Sequence, residues 1–106
     1  GVGVPTAVPY TASKSGLLGM TRALAVEWAP LHIRVNAIGP GYFRTELTEV
    51  FYQNADWQEA MRAKIPQGRF GHVDDLVGAV VFLASDASRY VTGQLLYIDG
   101  GFMASI

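Results

Sequence analysis

"HIRVNAIGPG", residues 32–41, alternates Ile33, Val35 and Ala37 against Arg34 and Asn36, adds Ile38, and stops on Gly39-Pro40-Gly41. That pattern predicts a strand running into a loop. A second stretch, "GQLLYIDGG" at 93–101, predicts a short, wholly apolar strand from Leu95 to Ile98, ended by Asp99-Gly100-Gly101. Strands of this continuous apolar type, separated by helices, imply an α/β architecture whose parallel sheet is covered on both faces.

The segments around the two strands read as helical. From Tyr10 to Trp28 no proline occurs, and Leu17, Met20, Leu24 and Trp28 recur at helical spacing until Pro30 stops the run. A line of small residues on the same helix, Ala12, Gly16, Gly19 and Ala23, would let another helix or a sheet approach closely. "TELTEVFYQNADWQEAMRAKIP" at 45–66 predicts two short, exposed helices broken at Gln53 to Asp56, the second opening with Asp56 and Glu59 in capping-box spacing. Together with Arg44 it reads as a lid, residues 44–66. "GHVDDLVGAVVFLAS" at 71–85 places Asp74 and Asp75 at a helix N-terminus. Leu76, Val77, Val80, Val81 and Ala84 then form one stripe, widened by Phe82 and Leu83. Two strands cannot build a covered sheet alone, so partner elements are expected beyond these residues.

Half of the 106 residues are apolar, 16% are charged and the net charge is −1. That balance suits a globular core and argues against nucleic acid or a membrane surface as partner. The most apolar run, Leu76 to Ala84, is far shorter than the ~20 residues of a membrane span, and no signal pattern opens the chain, so a cytoplasmic location is expected. The chain contains no cysteine, which excludes thiolate chemistry. It begins "GVGVPTAVPY", without an initiator methionine and with the look of a cut end. His32 and His72 have no partner at ligand spacing, so no metal site is expected. Arg22, Arg44 and Arg69 are assigned solvated or ion-paired roles, and Glu27 and Trp28 packing and capping roles.

The chemistry-bearing pair is in "VPYTASKSG", residues 8–16, where Tyr10 and Lys14 stand four apart and so share one helix face. A phenol titrates near ~10, and bringing it to neutrality requires roughly 4 kcal/mol of preference for the phenolate. An ammonium ~6 Å away at an effective dielectric of ~20 supplies roughly 2.8 kcal/mol of this. A further positive charge or a hydrogen bond to the phenolate must complete the shift. A tyrosine so poised can exchange a proton with an alcohol oxygen while hydride leaves or joins the carbon. Taken alone, the pair equally suits the ordinary start of an amphipathic helix.

In its setting the pair is more specific. Tyr10 and Lys14, Arg34-Val35-Asn36, Pro40-Gly41 with Thr45, and Asp99-Gly100-Gly101 occur in the order found in the short-chain dehydrogenase/reductase family, which the chain resembles over its whole length. "GRFGHVDDLVGAVVFLASDASRYVTGQ" at 68–94 resembles the family's stretch before its last strand. The resemblance implies the C-terminal portion of a single dinucleotide-binding domain, residues 1–106 of a Rossmann-type doubly wound parallel sheet whose N-terminal βαβ half is absent. It implies NAD or NADP as cofactor and the interconversion of an alcohol and a ketone.

On that resemblance Tyr10 is the acid/base, while Lys14 binds the nicotinamide ribose and lowers the tyrosine pKa. Pro40, Gly41, Phe43 and Thr45 hold the nicotinamide, with Phe43 standing where many relatives have isoleucine or valine. Residues 46–66 match the variable substrate loop, making Tyr42, Phe51, Tyr52 and Trp57 candidate pocket residues, although packing of the lid on the body explains these aromatics equally well. "PGYFRTEL" at 40–47 is most similar to the gluconate 5-dehydrogenase and sugar-alcohol branch, with 3-oxoacyl-carrier-protein reductases close behind. The family's glycine-rich phosphate turn is expected upstream of Gly1, as are the residue choosing NAD or NADP and two further catalytic residues. Gly1-x-Gly3 is not that turn, since no strand precedes it and the third glycine is missing. The family also implies a homo-oligomer, dimer or tetramer, through residues 10–28 and 76–98. The alternative from another class is a non-catalytic half that keeps only an assembly surface.

Overall fold

A computed structural model describes residues 11–44 and 49–106, and the described side chains exclude those of residues 11–14, 50 and 51. In chain order the described elements are helix α1 (Thr11–Trp28), strand β1 (Ala37–Pro40), helix α2 (Ala55–Lys64), helix α3 (Asp74–Ala84) and strand β2 (Leu95–Ile98), with short 3-10 turns after α1, β1, α3 and β2. The two strands pair in parallel, in the register Ala37 to Leu95 through Pro40 to Ile98. The connection between them contains α2 and α3, as a parallel pairing requires.

Helix α1 runs as expected and ends where Pro30 enters a 3-10 turn, Ala29–Leu31. His32, at the head of the stretch expected to run into the strand, caps this turn with a left-handed φ of 62° and donates its N–H to Ala29 O at 3.0 Å. The buried face of α1 also departs from expectation. Thr21 and Ala25 are buried where α1 lies against β1, whereas Met20 is 56% exposed and Trp28 is exposed too. The Thr21 hydroxyl tolerates burial because it donates to Leu17 O at 2.7 Å. At the two glycines of the small-residue line nothing described stands close: a methyl added at Gly16 or Gly19 would have no neighbour within 4 Å.

Strand β1 is displaced toward the C-terminus from its expected span at Ile33 to Ile38. Residues 34–36 spend their hydrogen-bonding capacity on loops rather than on a strand ladder. The Arg34 guanidinium donates to Leu83 O, Ser85 O, Ser88 O and Ser88 Oγ. Val35 donates its N–H to Thr92 Oγ1 and accepts from Gly93, while the Asn36 side chain bridges Val91 and Gln94. The ladder therefore begins at Ala37 and takes in Gly39 and Pro40. Pro40 can stand at the strand end, where its missing N–H does least harm.

Helix α2 opens one residue before the expected Asp56. Asn54 is its cap, with Oδ1 accepting the Trp57 N–H at 2.9 Å, and Glu49–Gln53 precede it as a 3-10 turn. In α3 only Leu83 is buried, while Val77, Val80, Val81 and Phe82 of the expected stripe are all exposed. The core thus divides into Ala25, Val35, Ala37, Ile38 and Leu83 around the strands, and a second cluster of Tyr52, Ile65 and Phe70. Among the described residues, no helix is long and apolar enough to cross a membrane.

Candidate active site

At the carboxyl ends of the two parallel strands the chain makes two crossings. After β1 the loop Gly41–Arg44 is pinned by backbone bonds: Gly41 donates to Ile98 O at 3.0 Å, Arg44 to Gly71 O at 3.0 Å, and Gly71 to Tyr42 O at 2.9 Å. Both glycines are required by proximity. A Cβ at Gly41 would stand 2.7 Å from Asp99 Cβ, and one at Gly71 would collide with the Phe43 ring.

After β2, Asp99 organises the turn, its Oδ1 accepting from Gly101 N and its Oδ2 from Met103 N, both at 2.9 Å. Gly100 and Gly101 take φ values of 65° and 95° there, a region costly for other residues. Gln67 donates its N–H to Gly100 O at 3.0 Å, so the turn also holds the end of the α2 segment.

Between these crossings lies a cavity of about 340 Å³, whose walls include Tyr42, Phe43, Arg69, Asp75, Tyr97 and Asp99. Its size and its place outside the carboxyl edge of a parallel sheet suit a small-molecule site. The Arg69 guanidinium donates to both Asp75 oxygens, at 2.8 and 3.1 Å. That bond, followed by the His72 N–H, holds the Asp75 carboxyl down at about 2. On the far side of the loop Arg44 is paired with Glu49, which raises its pKa, and lies 5.5 Å over the Tyr52 ring.

Behind Tyr42 the aromatics interlock. Tyr42 meets Trp57 and Phe102 edge-on at 6.4 and 5.5 Å, Tyr52 meets Trp57 and Phe70 edge-on at 5.0 and 4.7 Å, and Trp57 stacks on Phe70 at 5.9 Å. Burial pushes the Tyr52 phenol pKa up.

The fold therefore brings Tyr42 and Phe43 to the cavity, with Pro40 and Gly41 leading into the same loop. Tyr52, buried, and Trp57, half-buried, sit in the aromatic cluster and do not line the cavity. Tyr10 and Thr45 lie outside the described residues, as do the side chains of Lys14 and Phe51. The Arg69–Asp75 wall, Tyr97 and Phe102 were not among the expected site residues. They reach this place through the fold, and no short spacing in the sequence announces them. Among the described residues, no cluster of three or more His, Asp or Glu side chains could hold a metal ion.

A family model described as enoyl-(acyl carrier protein) reductase matches residues 1–103. The chain belongs to the short-chain dehydrogenase/reductase family. It is 47% identical over 104 residues to 2-dehydro-3-deoxy-D-gluconate 5-dehydrogenase of Escherichia coli K12, covering 98% of this chain and 40% of that protein. It is 45% identical over 101 residues to the 3-oxoacyl-[acyl-carrier-protein] reductase FabG of Rickettsia bellii, covering 95% and 41%. The crystal structure of a gluconate 5-dehydrogenase from Burkholderia cenocepacia J2315, in complex with NADP and tartrate, superposes with a TM-score of 0.85 at 36% identity, covering 99% of this chain and 45% of that one. The chain thus spans less than half the length of these relatives, and its parallel strand pair is a fragment of their Rossmann fold.

Proposed function

We propose that these residues form the nicotinamide and substrate side of an NAD(P)-dependent oxidoreductase that interconverts an alcohol and a ketone, with a sugar acid, polyol or related small hydroxy compound as substrate. The observation that carries this reading is the seating of the Gly41–Arg44 loop across the carboxyl ends of two parallel strands, in a chain of this family. The described residues fit the nicotinamide end of such a cofactor. The loop is held rigid by three backbone hydrogen bonds, passes through a gap only glycine fits at 41, and borders a cavity of small-molecule size.

When bound, the cofactor supplies the hydride acceptor or donor. Pro40, Gly41, Phe43 and Thr45 position the ring, and Lys14 binds the ribose while stabilising the Tyr10 phenolate one turn away. The Tyr10 oxygen takes the hydroxyl proton of the substrate in oxidation and returns it to the carbonyl oxygen in reduction. Tyr42, Phe51, Tyr52 and Trp57 shape the substrate side, with Tyr52 and Trp57 acting from behind Tyr42 rather than from the cavity wall. The full-length protein works in the cytoplasm as a homo-oligomer that uses the exposed apolar faces of α1 and α3.

A second reading, reduction of a 3-oxoacyl thioester, is favoured by the FabG relative. Turnover by the full-length enzyme separates the two. Oxidation of gluconate or a related sugar acid with NAD⁺ or NADP⁺ is the expected result. Reduction of an acetoacetyl thioester without sugar-acid oxidation would replace the first reading by the second, and activity on neither would remove both.

A further inference from the structure

We propose that Phe102 is a positioning residue for the substrate side of the site, acting through Tyr42. This rests on the reading of the cavity as the substrate side given above. Tyr42 is the aromatic of the post-β1 loop that lines the cavity and also touches the cluster behind it. Among the described residues its ring has two aromatic neighbours, and the nearer is Phe102 at 5.5 Å with an interplanar angle of 85°. Phe102 does not line the cavity, so it acts on a bound molecule only through the tyrosine it holds.

The placement of Phe102 is built from several directions. The Asp99 carboxylate ties down the N–H groups of Gly101 and Met103 on either side of it. Its own N–H donates to Asp99 O at 3.2 Å, and Gly101 is seated closely on the Pro66 side chain. Because Asp99 directly follows β2, and β2 is in register with β1, the turn carrying Phe102 and the loop carrying Tyr42 are set by the same strand pair. Edge-to-face packing has a preferred geometry, so this contact selects one orientation of the Tyr42 ring, where an aliphatic neighbour would only fill volume. Trp57 makes a separate edge-on contact with Tyr42 from helix α2, so removal of Phe102 takes away one aromatic contact while the other remains.

The test uses the full-length enzyme and whichever substrate the wild type turns over. Phe102→Ala and Phe102→Leu are expected to raise the substrate KM by about three- to tenfold, the size of one lost aromatic pair. The cofactor Kd and kcat are expected to stay within about twofold, and Phe102→Tyr is expected to restore the wild-type KM. A crystal structure of Phe102→Leu, the variant that keeps apolar volume, should show the Tyr42 ring turned from its present orientation. An unchanged KM, equal changes in substrate KM and cofactor Kd, or an unmoved Tyr42 ring would each overturn the positioning role. An inactive wild type would instead defeat the proposed function, a failure visible before any variant is made.

Discussion

Asn36, with no exposed surface, accepts the Gln94 N–H on Oδ1 at 3.1 Å and donates from Nδ2 to Val91 O at 3.0 Å. One side chain therefore closes the segment leading into β2 onto the segment leading into β1, immediately before their ladder starts. Asn36→Ala would take away the partner of the Gln94 N–H and of the Val91 carbonyl and leave space where a fully buried side chain stood, at an expected loss of about 1 to 3 kcal/mol. Urea unfolding of the full-length enzyme checks this, and a midpoint unchanged from wild type would contradict it.

Gly41 passes close enough to Asp99 that an added methyl would stand 2.9 Å from the Asp99 Cα, a backbone atom unable to yield alone. Gly41→Ala is expected to displace the loop and cost about 1 to 3 kcal/mol. The cofactor Kd should weaken in the same variant, because the loop is the proposed nicotinamide support. Calorimetry and a cofactor titration read the two effects, and wild-type values in both would remove the loop from the site.

Asp75 has a folded-state pKa of about 2, below the ordinary carboxyl value, through the Arg69 guanidinium and the His72 N–H. A depressed carboxyl contributes stability that is fully present above its unfolded value near ~4 and lost as pH falls through the folded value. The Tm difference between wild type and Asp75→Asn should therefore be constant from pH 7 down to about 4 and close toward pH 2. A difference that shrank as pH rose from 5 to 7 would contradict the assignment.

The α3 face carries Val77 at 51% and Val81 at 59% exposure, a density of bare apolar surface that suits a subunit contact. Val81→Glu in the full-length enzyme is expected to yield a smaller assembly by light scattering, with the helical circular dichroism retained. An unchanged mass would exclude this face as the contact.

Helix α1 and strand β2 were legible almost to the residue, because unbroken periodicity and a Gly-bounded apolar run are local signals. Strand β1 was legible in kind but not in position. Alternation at residues 33–38 does not reveal that Arg34 and Asn36 commit their side chains to the end of α3 and the segment that follows it, residues 83–94. The α2 cap was missed by two residues because Asn54 and Asp56 both suit the position, and only the Trp57 N–H decides between them. The stripe on α3 was visible, yet among the described residues only Leu83 of that helix is buried. A periodic apolar stripe marks a face destined for burial and does not say by what. For the site, the loop at 40–44 stood out through its Gly-Pro-Gly stop. Arg69, Asp75 and Phe102 join it only because a parallel crossover returns the chain to the same strand ends.

The most direct measurement is steady-state turnover by the full-length Tyr10→Phe enzyme beside a titration of its cofactor. A proton-exchanging phenol at position 10 predicts a fall in kcat of about a hundredfold or more with cofactor Kd near wild type. Retention of most of the wild-type rate would contradict the account.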